Sequence, residues 1–295
     1  MSAVRRGVAL SVLASILFGA MYFLSARLAP LDGEQIFGWR MLLTVPLLTL
    51  FLLWSGDWDL VRSTLLRLRD EPLLWLVLPA SAALLGLQLW LFLWAPPNGR
   101  ALEVSLGYFM LPLSMVMAGR LAYAERLTRL QQLAVGCAIV GVLHELGRVG
   151  HFSWPAALVV LGYPLYFVLR RHWRTDHLGG LWIDLLLLLP LAAAFALTGP
   201  GVGVLAERPL LGLLVPALGV ISAAALVSYI LSSRLLPLGL FGLLGYVEPV
   251  LLVAVALLLG ERLAPGQAWT YGPIWAALAL LVIEGLRRAR PGPAP

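Results

Sequence analysis

The feature that most constrains this chain is a series of ten apolar runs, each about 20 residues long and bounded by charge, proline or glycine. A bilayer core of about 30 Å is crossed by roughly 20 apolar residues in a helix. Only 12% of the residues are charged and the mean hydropathy is +0.91, whereas soluble domains are about one-quarter charged. We therefore predict an all-α integral membrane protein with ten transmembrane helices. The predicted spans are residues 7–28, 35–54, 73–95, 101–119, 130–147, 155–171, 180–198, 210–232, 238–259 and 268–286.

The composition also argues against several classes of function. The net charge is +6, but the arginines stand in short clusters between apolar runs, so we predict no nucleic-acid binding. The chain has no lysine, which excludes a Gly-Lys-Ser/Thr phosphate loop and a lysine Schiff base. A single cysteine and four histidines without zinc-type spacing predict no disulfide, no metal site and no cofactor. Since the loops are short and lack a nucleophile with a matching base, we expect no enzyme.

The distribution of arginines predicts the orientation, because cytoplasmic loops carry the positive excess. With the N-terminus inside, fifteen of the 21 basic residues fall on the inner side and six on the outer side. The outer six are Arg27, Arg40, Arg100, Arg148, Arg208 and Arg262. We therefore predict that both termini are cytoplasmic, which agrees with an even number of spans.

Two stretches of the sequence repeat each other. The sequence Leu106-Gly107-Tyr108 is followed by Pro112, and Leu244-Gly245-Tyr246 is followed by Pro249. Each copy runs on to Glu-Arg-Leu, at 125–127 and again at 261–263. We predict that Pro112 and Pro249 kink their helices, since proline removes a backbone donor.

A second match supports an internal duplication. Arg40 precedes Pro46 by six residues in span two, and Asp184 precedes Pro190 by six residues in span seven. We predict two five-helix repeats, residues 1–149 and 150–290, and a disordered tail at 291–295. Because five is odd, the second repeat enters the membrane inverted. Inverted repeats are common in secondary transporters, whose substrate site lies near the midplane between the repeats.

Glu248 is the most informative ionisable residue, because it lies halfway along span nine. A charge at the centre of a spanning helix costs about 2.5 to 3.5 kcal/mol on insertion scales. Pro249 leaves the carbonyl of Gly245 without its usual helical donor. We predict that Glu248 contacts the substrate or carries a proton. The alternative is a protonated glutamate that is hydrogen-bonded to a neighbouring helix.

Three further charged residues lie nearer to the faces of the membrane. Glu103 and Arg40 enter spans four and two from the outer side at similar depth, so they are candidates for an ion pair that closes the outer half of the site. Asp184, the repeat partner of Arg40, lies near the cytoplasm, and we expect no contact between these two residues. Such pairs either gate the site or serve structure alone.

Polar and aromatic residues complete the candidate set. Tyr108 and Tyr246 offer a hydroxyl to a ligand or fill the core. Gln88 and Trp90 lie in span three, where an indole either stacks on an aromatic substrate or anchors the helix at the interface.

These residues also resemble a known family. The run Glu125-Arg126-Leu127-Thr128-Arg129-Leu130-Gln131-Gln132, leading to Gly136 and Gly141, resembles the segment that closes each repeat of the EamA family, within the drug/metabolite transporter superfamily. The run Phe92-Leu93-Trp94-Ala95 through Asn98, with Leu102-Glu103-Val104-Ser105-Leu106-Gly107-Tyr108-Phe109, looks like its RarD subgroup. The resemblance implies ten helices in two inverted repeats in a bacterial inner membrane. Gln88 departs from the asparagine of the subgroup, which puts a ligand contact in doubt.

Two functions are compatible with these features. The first is a secondary transporter that moves a small metabolite or drug-like molecule by alternating access, with a small-molecule substrate and membrane lipid as partners. The second is a non-transporting multi-pass protein, either a sensor or an assembly and docking factor, which predicts no central cavity and a packed or lipid-facing Glu248. The sequence leaves open the substrate, the direction of transport, proton coupling and a homodimer.

Overall fold

The computed structural model describes residues 3–25, 27–95, 100–150, 153–198, 203, 208–248, 251 and 266–289. Within these residues the secondary structure is helical and contains no strand, as predicted. The helices are α1 Ala3–Ser25, α2 Gly33–Ser55, α3 Trp58–Asp70, α4 Leu74–Trp94, α5 Ala101–Tyr123, α6 Arg129–Val149, α7 Trp154–His172, α8 Leu178–Leu197, α9 Pro209–Leu235, α10 Leu238–Leu244 and α11 Gln267–Ala289.

Six of the described helices are long and apolar enough to cross a membrane, namely α1, α2, α4, α6, α8 and α9. The remaining predicted spans overlap with α5, α7, α10 and α11, and α10 covers only the first part of its span. The ten crossings stay a prediction. Much of span nine lies outside the described residues, as do Pro249, the second Glu-Arg-Leu at 261–263, Asn98 and the tail at 291–295.

The outer surface of the bundle is apolar. Side chains between 63% and 84% exposed include Leu50, Trp54, Leu76, Leu161 and Leu213. Apolar exposure on this scale marks a surface that contacts protein or lipid. Together with the spans, it identifies a membrane-embedded bundle.

Local sequence signals fix where several helices begin. Asp32 and Gln35 form a capping box at the start of α2, in which Gln35 N donates to Asp32 Oδ1 at 2.8 Å. Thr128 and Gln131 form the same motif at the start of α6. A capping box satisfies two of the free backbone donors at a helix N-terminus. Both helices therefore begin at a position set by the sequence.

The helix α3 is an amphipathic link between predicted spans two and three. Its buried residues Val61 and Thr64 lie on the side that packs against α8. Arg67 binds Glu71 (Nε to Oε1, 2.9 Å) and donates to the backbone oxygen of Trp173 (2.9 Å). The Arg67 guanidinium lowers the pKa of the Glu71 carboxyl through this hydrogen bond.

The two halves of the chain interdigitate rather than fold side by side. Helix α1 packs along α9, α2 along α8, α4 along α7, α5 along α10, and α6 along α11. One large apolar cluster joins α1 to α5 with α7 to α10, and a second joins α5, α6, α10 and α11. Each half therefore completes its core with the other.

Glu125 ties the first half to the start of α10. Its carboxylate accepts the backbone N–H groups of Leu238 (2.7 Å) and Gly239 (2.8 Å). Arg171 lies 3.6 Å from the same carboxylate and donates to the backbone oxygen of Ser233. A carboxylate is favourable at a helix N-terminus because it satisfies free donors and opposes the helix dipole. The Glu125 carboxylate therefore caps a helix of the other half.

We predict that Gly38→Ala destabilises the protein, because a Cβ at Gly38 lies 2.5 Å from Ala192 O and 2.6 Å from Ala196 N of α8. The helices must separate or strain, at about 1–3 kcal/mol. The matched control is Gly136→Ala, where a Cβ meets nothing within 4 Å. Unfolding in detergent should show a loss for Gly38→Ala and a change within about 1 kcal/mol for Gly136→Ala. Equal behaviour of the two variants contradicts tight α2–α8 packing.

Candidate functional site

A cavity lies between the two halves of the bundle. It is lined from α1, α2, α4 and α5 of the first half and from α7, α8, α9 and the α10 region of the second. Among the described residues, α6 and α11 contribute none of the lining. The space open to the centres of water-sized spheres is about 70 Å³, several times the roughly 10–15 Å³ that one water requires.

Arg40 supplies a positive charge to this cavity. Its side chain is only 1% exposed, and its Nε donates to Ser222 Oγ at 2.8 Å. Thr44 also donates to Ser222 (3.0 Å), which fixes the serine between α2 and α9. Of the five donors of the guanidinium, Nε–H alone has a hydrogen-bond partner among the described residues, and Nη2 is buried without one. Arg40 is therefore a buried cation with unused donors.

Glu248 supplies a negative charge to the same cavity. It interacts electrostatically with Arg40, Tyr108, Tyr163 and Tyr229. Among the described residues, no ion pair of 4.0 Å or less joins this carboxylate to the Arg40 guanidinium. The two charges therefore face the same space without closing on each other.

The backbone before Glu248 differs from the expectation. We expected an unpaired carbonyl at Gly245, but Gly245 O accepts the N–H of Glu248 at 3.1 Å. Gly242 O likewise accepts Gly245 N (2.9 Å), and Leu243 O accepts Tyr246 N (3.2 Å). The chain after Leu244 thus tightens to bonds between residues three apart, which satisfies the carbonyls.

Aromatic side chains form much of the wall. Tyr229 contacts Phe18 (ring centroids 5.7 Å) and Phe241 (4.8 Å). Tyr108 contacts Phe92 (5.9 Å) and Tyr163 (6.2 Å), and the two tyrosine hydroxyls interact. Pro112 lies in the same wall, and α5 continues through it. The cavity thus offers apolar faces, a few hydroxyls and two opposite charges.

A second buried charge cluster lies around Asp184. The Arg170 guanidinium pairs with Asp184 at 3.2 Å, and both side chains are 1% exposed. Arg170 also donates to Tyr166 OH and to the backbone oxygens of Thr175 and His177. Ser81 Oγ donates to Asp184 Oδ1 at 2.7 Å, and Tyr166 OH donates to Oδ2 at 3.2 Å. Among the contacts of the described residues, no hydrogen bond or ion pair joins Asp184 to Arg40.

The expected pair between Glu103 and Arg40 is not formed. Glu103 pairs with Arg100 at 3.1 Å, one turn away on the same side of α5. The reason is depth: α2 begins at Gly33, so Arg40 lies two turns inside the helix, whereas Glu103 lies in the first turn of α5. The Arg40 guanidinium donates a hydrogen bond to Ser222 instead.

Three other candidates lie outside the cavity wall, while Tyr108 lies within it. Tyr246 is fully buried and donates to the backbone oxygen of Phe109 at 3.1 Å. Gln88 is buried and donates to the backbone oxygen of Leu158 at 2.8 Å. Trp90 packs against Trp94, with ring centroids 5.0 Å apart. These positions favour the core-filling alternative for Tyr246.

Further residues of the two sites were not predicted from the sequence, among them Tyr163, Tyr229, Ser222 and Arg170. The Gly162-Tyr163-Pro164 sequence repeats the Gly-Tyr pattern and was an available signal. Arg170 lies in the last turn of α7, where the sequence does not distinguish it from the other arginines of the inner side. Nothing in the sequence distinguishes Ser222 or Tyr229 from other residues of α9.

Comparisons with known proteins agree with this architecture. A family model described as the EamA-like transporter family matches residues 5–144. The chain is 47% identical over 287 residues to the chloramphenicol-sensitive protein RarD of Pseudomonas aeruginosa, covering 97% of this chain and 96% of that protein. It is 39% identical over 285 residues to an uncharacterized transporter of Pasteurella multocida (97% and 98% covered). It is 29% identical over 292 residues to Protein RarD of Escherichia coli (97% of each).

A solved protein structure shares the fold. A crystal structure of an 18% identical protein superimposes with a TM-score of 0.67, covering 96% of this chain and 99% of that chain. The apolar helices and the charged cavity between two halves define a multi-pass inner-membrane transporter. The chain belongs to the EamA family, in its RarD-like subgroup.

We predict that Asp184→Asn lowers the free energy of unfolding by roughly 3–5 kcal/mol, because it leaves the Arg170 charge buried without a counter-charge. The matched control is Asp59→Asn, since Asp59 pairs with Arg62 at 3.8 Å on the surface with side chains 86% and 72% exposed. Such a pair contributes at most about 1 kcal/mol. Denaturant unfolding in detergent micelles compares the two. Similar losses would show that the Arg170–Asp184 pair is not a structural element.

Proposed function

We propose that the chain is a secondary transporter that moves a small molecule through the central cavity by alternating access. The observation that carries this proposal is the cavity itself, which holds Arg40 and Glu248 and is lined by helices of both halves. Ligand sites between repeats are typical of transporters built from inverted repeats. Relative motion of the halves would expose such a site to one side at a time.

The packing of the helices supports two inverted five-helix repeats, residues 1–149 and 150–290. A two-fold rotation that superimposes one repeat on the other would exchange α1 with α7, α2 with α8, α4 with α9, α5 with α10, and α6 with α11. Under this exchange the contacts α2–α8, α5–α10 and α6–α11 map onto themselves. The contact α1–α9 maps onto α4–α7, α2–α9 onto α4–α8, α5–α7 onto α1–α10, and α5–α6 onto α10–α11, and all of these occur. This is the pattern expected from a two-fold axis between the repeats.

Two polar contacts follow the same exchange. Arg40 of α2 donates to Ser222 of α9, and Asp184 of α8 accepts from Ser81 of α4. Each charged residue thus bonds to a serine on the equivalent helix of the other repeat. This agreement supports the alignment of Arg40 with Asp184, which came from the sequence.

We propose that ten helices cross the membrane with both termini in the cytoplasm. The arginine distribution supports this orientation, because the inner side carries the excess. The capped junction at Glu125, with Arg171 beside it, then lies at the cytoplasmic face. Arg40 and the outer half of the cavity lie toward the opposite face.

The cavity weighs against the non-transporting alternative. A sensor or docking factor predicts a packed or lipid-facing Glu248, whereas Glu248 lines the cavity. Relatives over nearly the whole chain are named transporters, which favours transport over catalysis. The described residues contain no group of three or more metal-binding side chains.

Glu248 has two proposed roles, contact with the substrate and transfer of a proton. Both roles require a carboxylate that reaches the cavity, which the lining supports. Proton coupling stays a hypothesis.

We predict that Leu89→Trp blocks transport, because Leu89 of α4 lines the cavity and an indole fills the space that the substrate needs. The matched control is Leu87→Trp, two residues away on the same helix, where Leu87 is 44% exposed on the outer surface. Cells that express each form are compared by untargeted metabolite profiles of medium and cytosol. Chloramphenicol is added as one compound, after the printed name of the Pseudomonas relative.

At least one compound should distribute differently in cells with the wild-type protein and with Leu87→Trp. Leu89→Trp should match cells that lack the protein. Identical profiles in all four strains, with the protein present in the membrane, contradict a transport function. Full activity of Leu89→Trp contradicts the cavity as the route.

A further inference from the structure

The two arginines that are buried among the described residues, Arg40 and Arg170, use their donors differently. Arg170 has hydrogen-bond partners at Nε, Nη1 and Nη2, and Asp184 balances its charge. Arg40 is equally buried, but among the described residues its Nη2 has no hydrogen-bond partner and no carboxylate pairs with it within 4.0 Å. A buried cation without a counter-charge strongly destabilises a protein unless another group compensates it. The guanidinium borders the cavity, so its compensating group can come from a ligand.

We propose that the cavity takes small amphipathic molecules that carry a carboxylate, and that Arg40 binds this carboxylate. The inference rests on the proposed function, because it names the class of molecule that the transport site accepts. Asp184, which aligns with Arg40 in the proposed repeats, has its counter-ion in the protein, namely Arg170. Arg40 receives its counter-ion from the substrate.

The geometry of the charges favours a carboxylate over other ligands. A guanidinium is planar, and its N–H groups match the two oxygens of a carboxylate. A phosphate dianion needs further cations, and Arg40 is the one cation among the described lining residues. A cationic ligand would take Glu248 as its partner and leave the charge of Arg40 uncompensated, which is strongly unfavourable.

The rest of the wall suits an apolar or aromatic body. The cavity is lined by the rings of Phe18, Phe92, Tyr229 and Phe241 and by Leu89, and Tyr229 contacts both Phe18 and Phe241. Aromatic rings pair favourably at centroid distances of about 4.5–7 Å. The hydroxyls of Tyr108 and Tyr163 lie near Arg40 and can donate to the same carboxylate. An aryl-alkyl carboxylate therefore meets both parts of the site.

Charge balance links this binding to Glu248. The groups that face Glu248 are Arg40 from α2, Tyr108 from α5, Tyr163 from α7 and Tyr229 from α9. Arg40 is the one charged group among them. A bound carboxylate would place two anions beside one guanidinium, so binding is favoured when Glu248 carries a proton. Binding should therefore take up a proton and become tighter as the pH falls.

The experiment uses the purified full chain in detergent micelles and calorimetric titration. The ligands are phenylacetate, 3-phenylpropanoate and 4-phenylbutanoate, with their uncharged amides and with 3-phenylpropylamine as a cation. At least one carboxylate should bind about tenfold tighter than its amide, and the amine should not bind. Repeating the titration in buffers of different ionisation enthalpy measures the proton taken up.

Three variants assign the effect. Arg40→Gln should remove the preference for carboxylate over amide, and Arg62→Gln, on the exposed side of α3, should keep it. Glu248→Gln should keep the preference and lose the proton uptake, because glutamine imitates the protonated form. If Arg40→Gln does not fold, Arg40→Lys keeps the charge without the planar fork and should bind the carboxylate more weakly than the wild type.

Equal affinity for acid and amide in the wild-type protein overturns the proposal. So does tighter binding of the amine, or no binding of any of the three acids up to roughly 10 mM. A carboxylate preference that survives in Arg40→Gln also overturns it. The proposed function is judged separately by the Leu89→Trp comparison, which can show transport even if the carboxylate preference is absent.

Discussion

The structure depends on how an apolar bundle accommodates charge. A guanidinium or carboxylate inside spanning helices is unfavourable by several kcal/mol unless other groups compensate it. At Arg170 and Asp184 the protein supplies every partner, and the cluster holds α4, α7 and α8 together. At Arg40 and Glu248 it leaves the charges apart with a cavity between them. The same constraint therefore produces a structural element at one end and, as we propose, a binding site at the other.

The proposed internal duplication would explain why the two clusters are related and yet differ. Arg40 and Asp184 align in the proposed repeats, and each bonds to a serine across the interface between halves. Arg40 and Asp184 carry charges of opposite sign. Among the described contacts, Asp184 has a protein counter-ion, Arg170, and Arg40 has none within ion-pair distance. We infer that a symmetric scaffold carries an asymmetric site. Under the proposed function, this asymmetry makes the Arg40 side of the bundle the binding site, whereas protein contacts close the Asp184 side.

The sequence predicted the helical fold well, because ten apolar runs of bilayer length leave few alternatives. It also directed attention to Arg40, Asp184 and Glu248, since charges are rare in such runs. The contacts of these residues were harder to predict. Helical rise gives the depth of a residue but not the direction of its side chain, so the pairing of Glu103 with Arg40 was wrong. The sequence does not distinguish Arg170 from the other arginines of the inner side. Ser222 contacts Arg40, which lies 182 positions away in the sequence.

The central claim, that one cavity between the halves opens to each side of the membrane in turn, is tested most directly by labelling Ser15. This residue of α1 lines the cavity and is 6% exposed. Ser15→Cys is placed in a Cys137→Ala background and treated with a membrane-impermeant thiol reagent in right-side-out and inside-out vesicles. Ser63→Cys on α3 serves as the reference for the cytoplasmic side. The account predicts that Cys at position 15 is labelled from both sides, whereas position 63 is labelled from one. Labelling of position 15 from a single side, or from neither, would contradict it.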